Sequence, residues 1–363
     1  MEKKLIAIEM LQAYKKRLDP FLKEYFLAKI MQAKKLDPLA VRTIKLIERF
    51  VLAGGKRIRP ALVYYGYLAS GGKEEEKIIK ASMAIELIHA FLLIHDDIID
   101  RDVTRHGIET MHETYKAWGK KINLVESEAT HFGNSMAITA GDYAHAMANE
   151  IIYAIEFEPK IILDALKKMQ VIVAHTIPGE MLDVLMGARG FATEKEITRM
   201  HEGKTARYTF EGPLHLGAVL AGQKENNKLL EAFSDYSLPV GKAFQIQDDI
   251  LGIFGNKEKL GKSVGADIIE GKQTLLILKA LKNGDKKQVA IIKKIFGKKN
   301  LTEQEVEIFR EIVRETGSLE YSQKLAEKLV KESLGAIKKI DFKNAEAKIF
   351  LEGIAEYIIK REV

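Results

Sequence analysis

The chain has 363 residues, 47% of them hydrophobic, which is enough apolar surface to bury a large core. It contains no cysteine, which excludes disulfide bonds, cysteine-based zinc sites and cysteine nucleophiles and fits a reducing cytosol. The net charge of +6 is compatible with anionic partners such as phosphates, although most of the lysines are expected to form a solvated surface. The lysine pairs near Lys286 and Lys298 lack interleaved aromatic residues, so no nucleic-acid partner is expected.

The sequence gives no sign of a targeting or membrane-spanning segment. The first residues, MEKKLIAIEMLQAYKK, carry too many charges for the apolar region of a signal peptide. The apolar run from Phe91 to Ile94 is far shorter than the roughly 20 residues needed to cross a bilayer. We therefore expect a cytoplasmic protein that does not span a membrane. No linker rich in proline, glycine or serine divides the chain, so a single domain is predicted over residues 1–363.

Apolar residues recur at intervals of three and four nearly everywhere, which predicts an all-α protein with more than ten helices. Asp19-Pro20 and Asp37-Pro38 each resemble an N-cap followed by proline at the first helical position. Thr193 with Glu196, and Thr302 with Glu305, have the spacing of a capping box. Helix breaks are expected at Gly54-Gly55, Gly71-Gly72, Glu158-Pro159, Gly187 to Gly190 and Gly255 to Gly271.

Residues 101–133 and 255–273 are less regular, and each stretch directly follows an aspartate-rich segment. Loops at the mouth of a site would explain this placement. Ordinary connections between helices would explain it equally well, and both interpretations stay open.

The first aspartate cluster, Asp96, Asp97 and Asp100, ends an apolar run that reads AIELIHAFLLIHDDIID. In a helix Asp96 and Asp100 stack one turn apart, and Asp97 lies about 100° around the axis. Like charges at this spacing repel, and burial beside an apolar run raises the cost. A structural protein has little reason for this arrangement. Mg²⁺, which binds carboxylates together with substrate phosphates, would supply a reason.

The second cluster, Asp248-Asp249, lies inside the apolar run LPVGKAFQIQDDILGIFG. Gln245 precedes Asp248 by three residues and shares its helical face. A single Asp-Asp pair is usually a solvated helix face. Two such pairs, both within apolar helices, favour a metal site instead.

Cations suited to phosphate accompany the aspartates. Residues 54–60 read GGKRIRP, a turn in which glycine lets the backbone approach an anion and Lys56 and Arg59 supply charge. Lys204-Thr205 and the loop with Lys262 and Lys272 add further cations. Together with Mg²⁺ held by aspartates, they indicate a site for a polyanion such as diphosphate. No GxxxxGK[ST] motif occurs, which argues against a P-loop enzyme.

Glu86 and His89 are three residues apart and resemble a carboxylate–histidine metal pair. One such pair is weak evidence. A histidine on a mostly apolar helix more often packs in the core or contacts a substrate.

In combination, these motifs resemble the trans-isoprenyl diphosphate synthases, the family of the farnesyl and geranylgeranyl diphosphate synthases. The resemblance runs from about residue 45 to residue 280. Its elements are GGKRIRP at 54–60, DDIID at 96–100, the Lys204-Thr205 pair, Phe244-Gln245 before Asp248-Asp249, and Lys262, Asp267 and Lys272 in the following loop.

The resemblance implies the isoprenoid synthase fold, a large helical bundle around a deep apolar cavity, in a homodimer. It implies head-to-tail condensation of isopentenyl diphosphate with an allylic diphosphate, with three Mg²⁺ per active site. Asp96, Asp100 and Asp248 would hold the metal, supported by Asp97 and Asp249. Arg105, Lys204, Lys262 and Lys272 would bind the allylic diphosphate, and Lys56, Arg59 and His89 isopentenyl diphosphate. Lys204, Thr205 and Gln245 would position and stabilise the allylic cation.

The sequence departs from the family pattern at two positions. His106 stands where a second arginine is usual, so binding of isopentenyl diphosphate is expected to be weaker or pH-dependent. Gly252 stands where some members have a third aspartate, a variant found among longer-chain members. The stretch 119–133 also looks longer than typical.

The product length is expected to depend on what blocks the cavity below Asp96. Phe91 lies five residues before Asp96 and Leu92 is next to it. One aromatic residue here, without an insertion in DDIID, resembles the archaeal-type geranylgeranyl diphosphate synthases, which predicts a geranylgeranyl product. Simple core packing of Phe91 is an equally good interpretation, and a farnesyl or longer product is the alternative.

Three rival functions account for the sequence less well. A class I terpene cyclase would lack the Lys56, Arg59 and His89 set. A non-catalytic subunit of a heteromeric synthase typically loses an aspartate motif, and both are present here. A helical scaffold leaves the aspartates in apolar helices unexplained.

Overall fold

The computed structural model describes residues 2–224, 227–255 and 265–359. This part of the chain is helical nearly throughout, so the all-α prediction is confirmed. The helices are α1 (Glu2–Ala33), α2 (Pro38–Leu52), α3 (Ile58–Ala69), α4 (Glu75–Asp100), α5 (Met111–Lys121), α6 (Glu126–Ala154), α7 (Pro159–Arg189), α8 (Glu194–Met200), α9 (Gly212–Leu220), α10 (Lys228–Phe254), α11 (Ala266–Glu270), α12 (Leu275–Asn283), α13 (Lys286–Ile295), α14 (Glu303–Glu315), α15 (Ser318–Ile337) and α16 (Ala345–Ile359). A π-helix (His201–Glu211) follows α8, and β1 (Thr104–Arg105) pairs antiparallel with β2 (Ile108–Glu109).

The chain forms two compact units. The N-terminal unit comprises Glu9–Met169 and Leu216–Gly222. The C-terminal unit comprises Met1–Ile8, Gln170–His215 and Gln223–Val363. The single domain predicted over residues 1–363 stays a prediction.

In the N-terminal unit, α4 packs mainly on α6 and α3. Helix α3 is buried from Pro60 to Ala69 because this part of its sequence, PALVYYGYLA, carries no charged residue on any face. Two glycines permit close packing in this unit. A Cβ atom on Gly141 of α6 would lie 2.5 Å from Nε2 of His95 on α4, and one on Gly217 would lie 2.1 Å from the carbonyl oxygen of Val63.

In the C-terminal unit, α10 packs on α15 and on the π-helix. The contact with the π-helix is close because Gly241 has no side chain: a Cβ atom there would lie 2.4 Å from Cα of Ala206. Buried hydrogen bonds connect α10 to α15 and α16. Tyr236 of α10 donates to the carbonyl of Leu351 at 2.8 Å, and Ser333 of α15 donates to the carbonyl of Tyr236 at 2.7 Å.

Most predicted helix boundaries are confirmed. Asp37 caps α2 by accepting from the backbone N–H of Leu39 and Ala40, and Pro38 is the first helical residue. The predicted capping boxes are present at the starts of α8 and α14. Helix α7 begins at Pro159 and ends before Gly190, whose φ of 75° is left-handed.

The predicted helix start at Asp19-Pro20 is wrong, because α1 runs through Pro20 without interruption. Leu18 and Leu22 are fully buried on either side, so the packing of the long helix outweighs the hydrogen bond that proline removes. Asp19 instead accepts a hydrogen bond from Arg57.

The less regular stretch 101–133 consists mainly of ordinary secondary structure. It contains the β1–β2 hairpin, all of α5 and the start of α6, so residues 119–133 form a helix end, a turn and a helix start. In the second stretch, residues 265–273 include the short helix α11. Residues 256–264 lie outside the described part of the chain.

Two of the described helices, α4 and α7, are long and apolar enough to cross a bilayer by length and composition. The most apolar window of α4 is 67% buried, as expected for a core helix, whereas that of α7 is 28% buried. The prediction that the chain does not span a membrane stays a prediction.

Candidate active site

The first aspartate cluster lies at the C-terminal end of α4. The helix ends at Asp100 because Arg101 adopts a left-handed conformation with φ of 60°. Asp97 is fully buried, while Asp96 and Asp100 are partly exposed. The helix dipole disfavours anions at this end, so the carboxylates need cations nearby.

The β1–β2 hairpin brings such a cation back to the helix end. Its two-residue turn, His106-Gly107, has φ of 52° and 76°, the pattern of a type I′ turn. Arg105, the last residue of β1, donates from Nε to Asp97. Its Nη2 atom donates to Asp96 at 3.2 Å and to Asp102 at 3.1 Å. One guanidinium therefore contacts two carboxylates of the motif and a third carboxylate beyond it, and its single positive charge offsets only part of their negative charge.

Asp97 is electrostatically unusual. Burial raises the pKa of its carboxyl to about 7, although the charge of Arg105 opposes the shift. Its Oδ2 atom is buried and has no hydrogen-bond partner among the described residues. A buried, unsatisfied carboxylate oxygen among other carboxylates is a donor set that suits Mg²⁺.

The glycine-bearing turn lies close to the hairpin. A Cβ atom on Gly54 would lie 3.0 Å from the ring of His106, so the imidazole packs on this turn. Lys56 is exposed, and Nη1 of Arg59 lies 3.1 Å from Nε2 of His89 on α4. Arg59, Arg105 and His106 are all close enough to His89 for their charges to lower its pKa. The structure thus brings these four residues together.

His89 is held in its neutral form. Burial lowers its pKa well below the usual range, and the charge of Arg59 lowers it further. The weak interpretation of Glu86 and His89 as a metal pair is not supported, because Glu86 is bound to Arg57 and His89 to Arg59.

The predicted chain-length residues lie at the contact between α4 and α6. The ring of Phe91 lies 4.9 Å from that of His95 and 5.1 Å from that of His145 on α6. Phe91 and Leu92 are both partly exposed. Phe91 is therefore held by neighbouring rings and is not completely enclosed.

In the C-terminal unit, the π-helix and α10 carry the second set of predicted residues. Thr205 donates to Oε1 of Gln245 at 2.5 Å, and Gln245 donates to Oδ1 of Asp249 at 2.9 Å. Nε2 of His201 lies 3.1 Å from the other oxygen of Asp249. The two hydrogen bonds that run from Thr205 through Gln245 fix the buried Asp249, while Asp248 is partly exposed.

Lys204 points toward a different helix from its neighbour Thr205. Its Nζ atom lies 2.7 Å from Glu180 and 2.9 Å from Asp183, both on α7. The π-helix approaches α7 closely because a Cβ atom on Gly179 would lie only 2.3 Å from the backbone nitrogen of Lys204. Lys204 is thus held by carboxylates in the same way as Arg105.

Among known proteins, a family model described as Polyprenyl synthetase matches residues 42–313. The chain belongs to the polyprenyl synthetase family. It is therefore a prenyltransferase that elongates prenyl chains, and its fold is the all-α isoprenoid synthase fold. The resemblance found in the sequence motifs is confirmed.

Individual relatives agree with this assignment. The chain is 33% identical over 313 residues to a geranylgeranyl diphosphate synthase of Saccharolobus solfataricus, covering 85% of this chain and 87% of the relative. It is 34% identical over 311 residues to the enzyme of that name from Methanosarcina mazei, covering 85% and 87%. A crystal structure of geranylgeranyl pyrophosphate synthase from Corynebacterium glutamicum, complexed with isoprenyl diphosphate and magnesium, superimposes with a TM-score of 0.88 at 29% identity over 97% of this chain and 98% of that one.

Polyprenyl synthetases depend on Mg²⁺, and the donor set of this prenyltransferase fits that ion. The described residues offer carboxylates in both units, although within them no group of three or more histidine and acidic side chains is arranged to hold a metal. Within the N-terminal unit, the candidate Mg²⁺ ligands are Asp96, Asp97 and Asp100. Within the C-terminal unit, the candidates are Asp248 and Asp249.

The loop after α10 is partly described. The Gly252 variant has a steric explanation, because a Cβ atom at this position would lie 2.0 Å from Oδ2 of Asp267. Lys272 lies 3.0 Å from Glu270. The predicted substrate ligand Lys262 lies outside the described residues.

The sequence interpretation missed Glu180 and Asp183. Their i, i+3 spacing places them on one face of α7, and this pairing of two carboxylates is the only feature of the sequence that could have indicated a shared cation. Their role as partners of Lys204 depends on packing between distant segments, which no local pattern shows.

Proposed function

We propose that this prenyltransferase catalyses the Mg²⁺-dependent head-to-tail condensation of isopentenyl diphosphate with an allylic diphosphate and makes geranylgeranyl diphosphate. The observation that carries the proposal is the arrangement at the end of α4, where Asp96 and Asp97 meet Arg105 beside the Arg59–His89 pair. Carboxylates for a metal and cations for a diphosphate are adjacent there.

In the proposed reaction, the C–O bond of the allylic diphosphate breaks and diphosphate leaves with the electron pair. The double bond of isopentenyl diphosphate then forms a carbon–carbon bond to the allylic cation, and a proton is lost to the departing diphosphate. Bound Mg²⁺, three ions per active site by family resemblance, supplies positive charge for the leaving group.

The side chains of the chain bind and orient the two substrates. Lys56, Arg59, His89 and His106 bind isopentenyl diphosphate. Arg105, Lys204, Lys262 and Lys272 bind the allylic diphosphate. Because Arg105 and Lys204 contact carboxylates in this structure, a bound phosphate would compete with these carboxylates for the two cations.

Thr205 and Gln245 are proposed to face the allylic cation. Gln245 accepts from Thr205 and donates to Asp249, which fixes the orientation of its amide. An amide oxygen held in this way stabilises developing positive charge without having to reorient.

A geranylgeranyl product is supported by the position of Phe91 and by the names of similar proteins. A farnesyl or longer product is the alternative. A non-catalytic subunit is not favoured, because both aspartate pairs are present and each lies beside a polar or charged partner.

We also propose a cytoplasmic homodimer. The apolar residues Ile177, Met181, Val184 and Leu185 are 43–66% exposed on α7. Their spacing puts them on one face of the helix, and an exposed apolar face of this kind is typical of a protein–protein interface.

The test is to incubate the purified chain with Mg²⁺, isopentenyl diphosphate and a series of allylic diphosphates, and to identify the alcohols released by phosphatase. Geranylgeraniol supports both the condensation and the proposed product length. A shorter or longer alcohol supports the condensation and rejects the product length. No product with any primer rejects the proposed function.

A further inference from the structure

Arg57, in the middle of the GGKRIRP turn, has an unusual conformation. It precedes α3 at the N-cap position with φ of 58°, in the left-handed region that favours glycine. Its side chain makes no capping hydrogen bond to α3 and is only 3% exposed. A buried guanidinium is tolerated only when it is paired and hydrogen-bonded.

The guanidinium of Arg57 is bound on three sides. Nη1 donates to Glu86 of α4 at 2.7 Å, and Nε donates to Asp19 of α1 at 3.1 Å. Nη2 donates to the carbonyl oxygen of Val51 of α2 at 2.9 Å. Since Arg57 itself leads into α3, one side chain ties together the first four helices of the chain.

These contacts lie directly beside the pair proposed to bind isopentenyl diphosphate. Glu86 and His89 share a face of α4, and Arg57 and Arg59 are two residues apart at the start of α3. The contacts Arg57–Glu86 and Arg59–His89 are thus two neighbouring links between the same pair of helices. The first is buried and the second is partly exposed.

We propose that Arg57 is a positioning residue that sets Arg59 and His89 at the right separation for the diphosphate of isopentenyl diphosphate. This inference rests on the proposed function. Arg57 does not touch the substrate. It fixes the start of α3 against α4, so that the guanidinium of Arg59 and the imidazole of His89 are presented together.

The geometry requires arginine and not merely a positive charge. The planar guanidinium reaches acceptors on three helices at once through Nε, Nη1 and Nη2. The ammonium group of lysine is a single point on a flexible stem and cannot hold the same three directions. Arg57→Lys therefore keeps the charge and removes the positioning.

The test measures binding of isopentenyl diphosphate by titration calorimetry, without an allylic partner and without turnover. Arg57→Lys is expected to weaken it at least tenfold. Binding of a non-reactive allylic diphosphate analogue with Mg²⁺ is expected to change less than twofold. Glu86→Gln, which keeps the shape of the side chain and removes its charge, is expected to act in the same direction. It serves as the second variant if Arg57→Lys does not fold.

Arg17→Lys is the matched control. Arg17 also bridges helices of the N-terminal unit, because it donates to Tyr64 at 3.0 Å and to Glu75 at 2.7 Å. Glu75 is the first residue of α4 and is far from His89, so these contacts do not position the proposed site. This variant is expected to bind isopentenyl diphosphate like the wild type.

The possible results separate this inference from the proposed function. Wild-type affinity in both Arg57→Lys and Glu86→Gln overturns the positioning role and leaves the proposed function intact. Equal loss for both diphosphates, in parallel with a lower melting temperature, shows that Arg57 is only structural. A wild-type chain that binds neither diphosphate rejects the proposed function and this inference with it.

Discussion

Gly141 on α6 and His95 on α4 are in direct contact, and a Cβ atom on the glycine would lie 2.5 Å from Nε2 of the imidazole. The same imidazole lies edge-on to the ring of Phe91, with 4.9 Å between the ring centres. The position of Phe91 is therefore set by the close approach of the two helices.

The first prediction concerns product length. Phe91→Ala is expected to shift the main product from geranylgeranyl to longer chains, because it removes the ring proposed to block the elongating chain. Chromatography of the dephosphorylated products measures the shift. Phe132→Ala, which removes a ring packed on Trp118 in the same unit, is the control and should leave the product unchanged. An unchanged product in Phe91→Ala would mean that Phe91 only packs the core.

The second prediction separates metal binding from ion pairing. Nη2 of Arg105 donates to Asp96 at 3.2 Å and to Asp102 at 3.1 Å, so both carboxylates lose a similar bond when truncated. Of these two residues, only Asp96 is proposed to hold Mg²⁺. Asp96→Ala is expected to abolish turnover, whereas Asp102→Ala retains most of it. Steady-state rates at saturating Mg²⁺ give the answer, and near-normal activity of Asp96→Ala would reject the metal assignment.

The third prediction concerns pH. In the unfolded chain the pKa of His89 is about 6.5, and burial lowers it well below this value in the native protein. At a pH between the unfolded and the native pKa, the unfolded chain therefore binds a proton that the native protein does not. The contribution of His89 to stability is fully present above pH 6.5 and is lost as the pH falls, by at most about 1.4 kcal/mol per pH unit.

Thermal melts of His89→Gln between pH 5 and 8 are expected to show a smaller loss of stability in acid than the wild type. His131→Gln, at an exposed position of α6, is the control and should keep the wild-type slope. Identical slopes in His89→Gln and the wild type would contradict the prediction.

The fourth prediction compares two glycines of α7. A Cβ atom on Gly179 would lie 2.3 Å from the backbone nitrogen of Lys204, whereas one on Gly187 meets no atom within 4 Å. Gly179→Ala is expected to lower the free energy of unfolding by about 1–3 kcal/mol because the π-helix must move. Gly187→Ala should raise it by roughly 0.5–1 kcal/mol, since alanine favours the helix. Denaturant titrations measure both, and equal values would contradict the proposed close approach.

Local sequence signals predicted the helices well where a few neighbouring residues decide the structure. Asp37 and Thr302 cap helices because their own side chains reach backbone N–H groups within three residues. Asp19-Pro20 failed because the packing of a 32-residue helix overrides a local start signal. The β1–β2 hairpin was missed because each strand has only two residues and shows no period.

For the site, the aspartates were found from the sequence because charge within an apolar run is visible there. Their partners were not, because the bonds from Arg105 to Asp97 and from Lys204 to Asp183 depend on how the chain folds back. Likewise, nothing local indicates that Arg57 is buried and that Lys56, its neighbour, is exposed.

The directions of the side chains on the π-helix depend on the exact number of residues in this segment. Arg207 donates to Glu202, five residues earlier, at 2.7 Å, which is the spacing of one turn in an i→i+5 helix. In an α-helix the same two residues would lie about 140° apart. Deleting one residue between them would restore α-helical spacing to the pair and let the segment rewind. Lys204 and Thr205 lie within this interval and contact α7 and α10 respectively, so an insertion or deletion there would shift the register that presents them to these two helices.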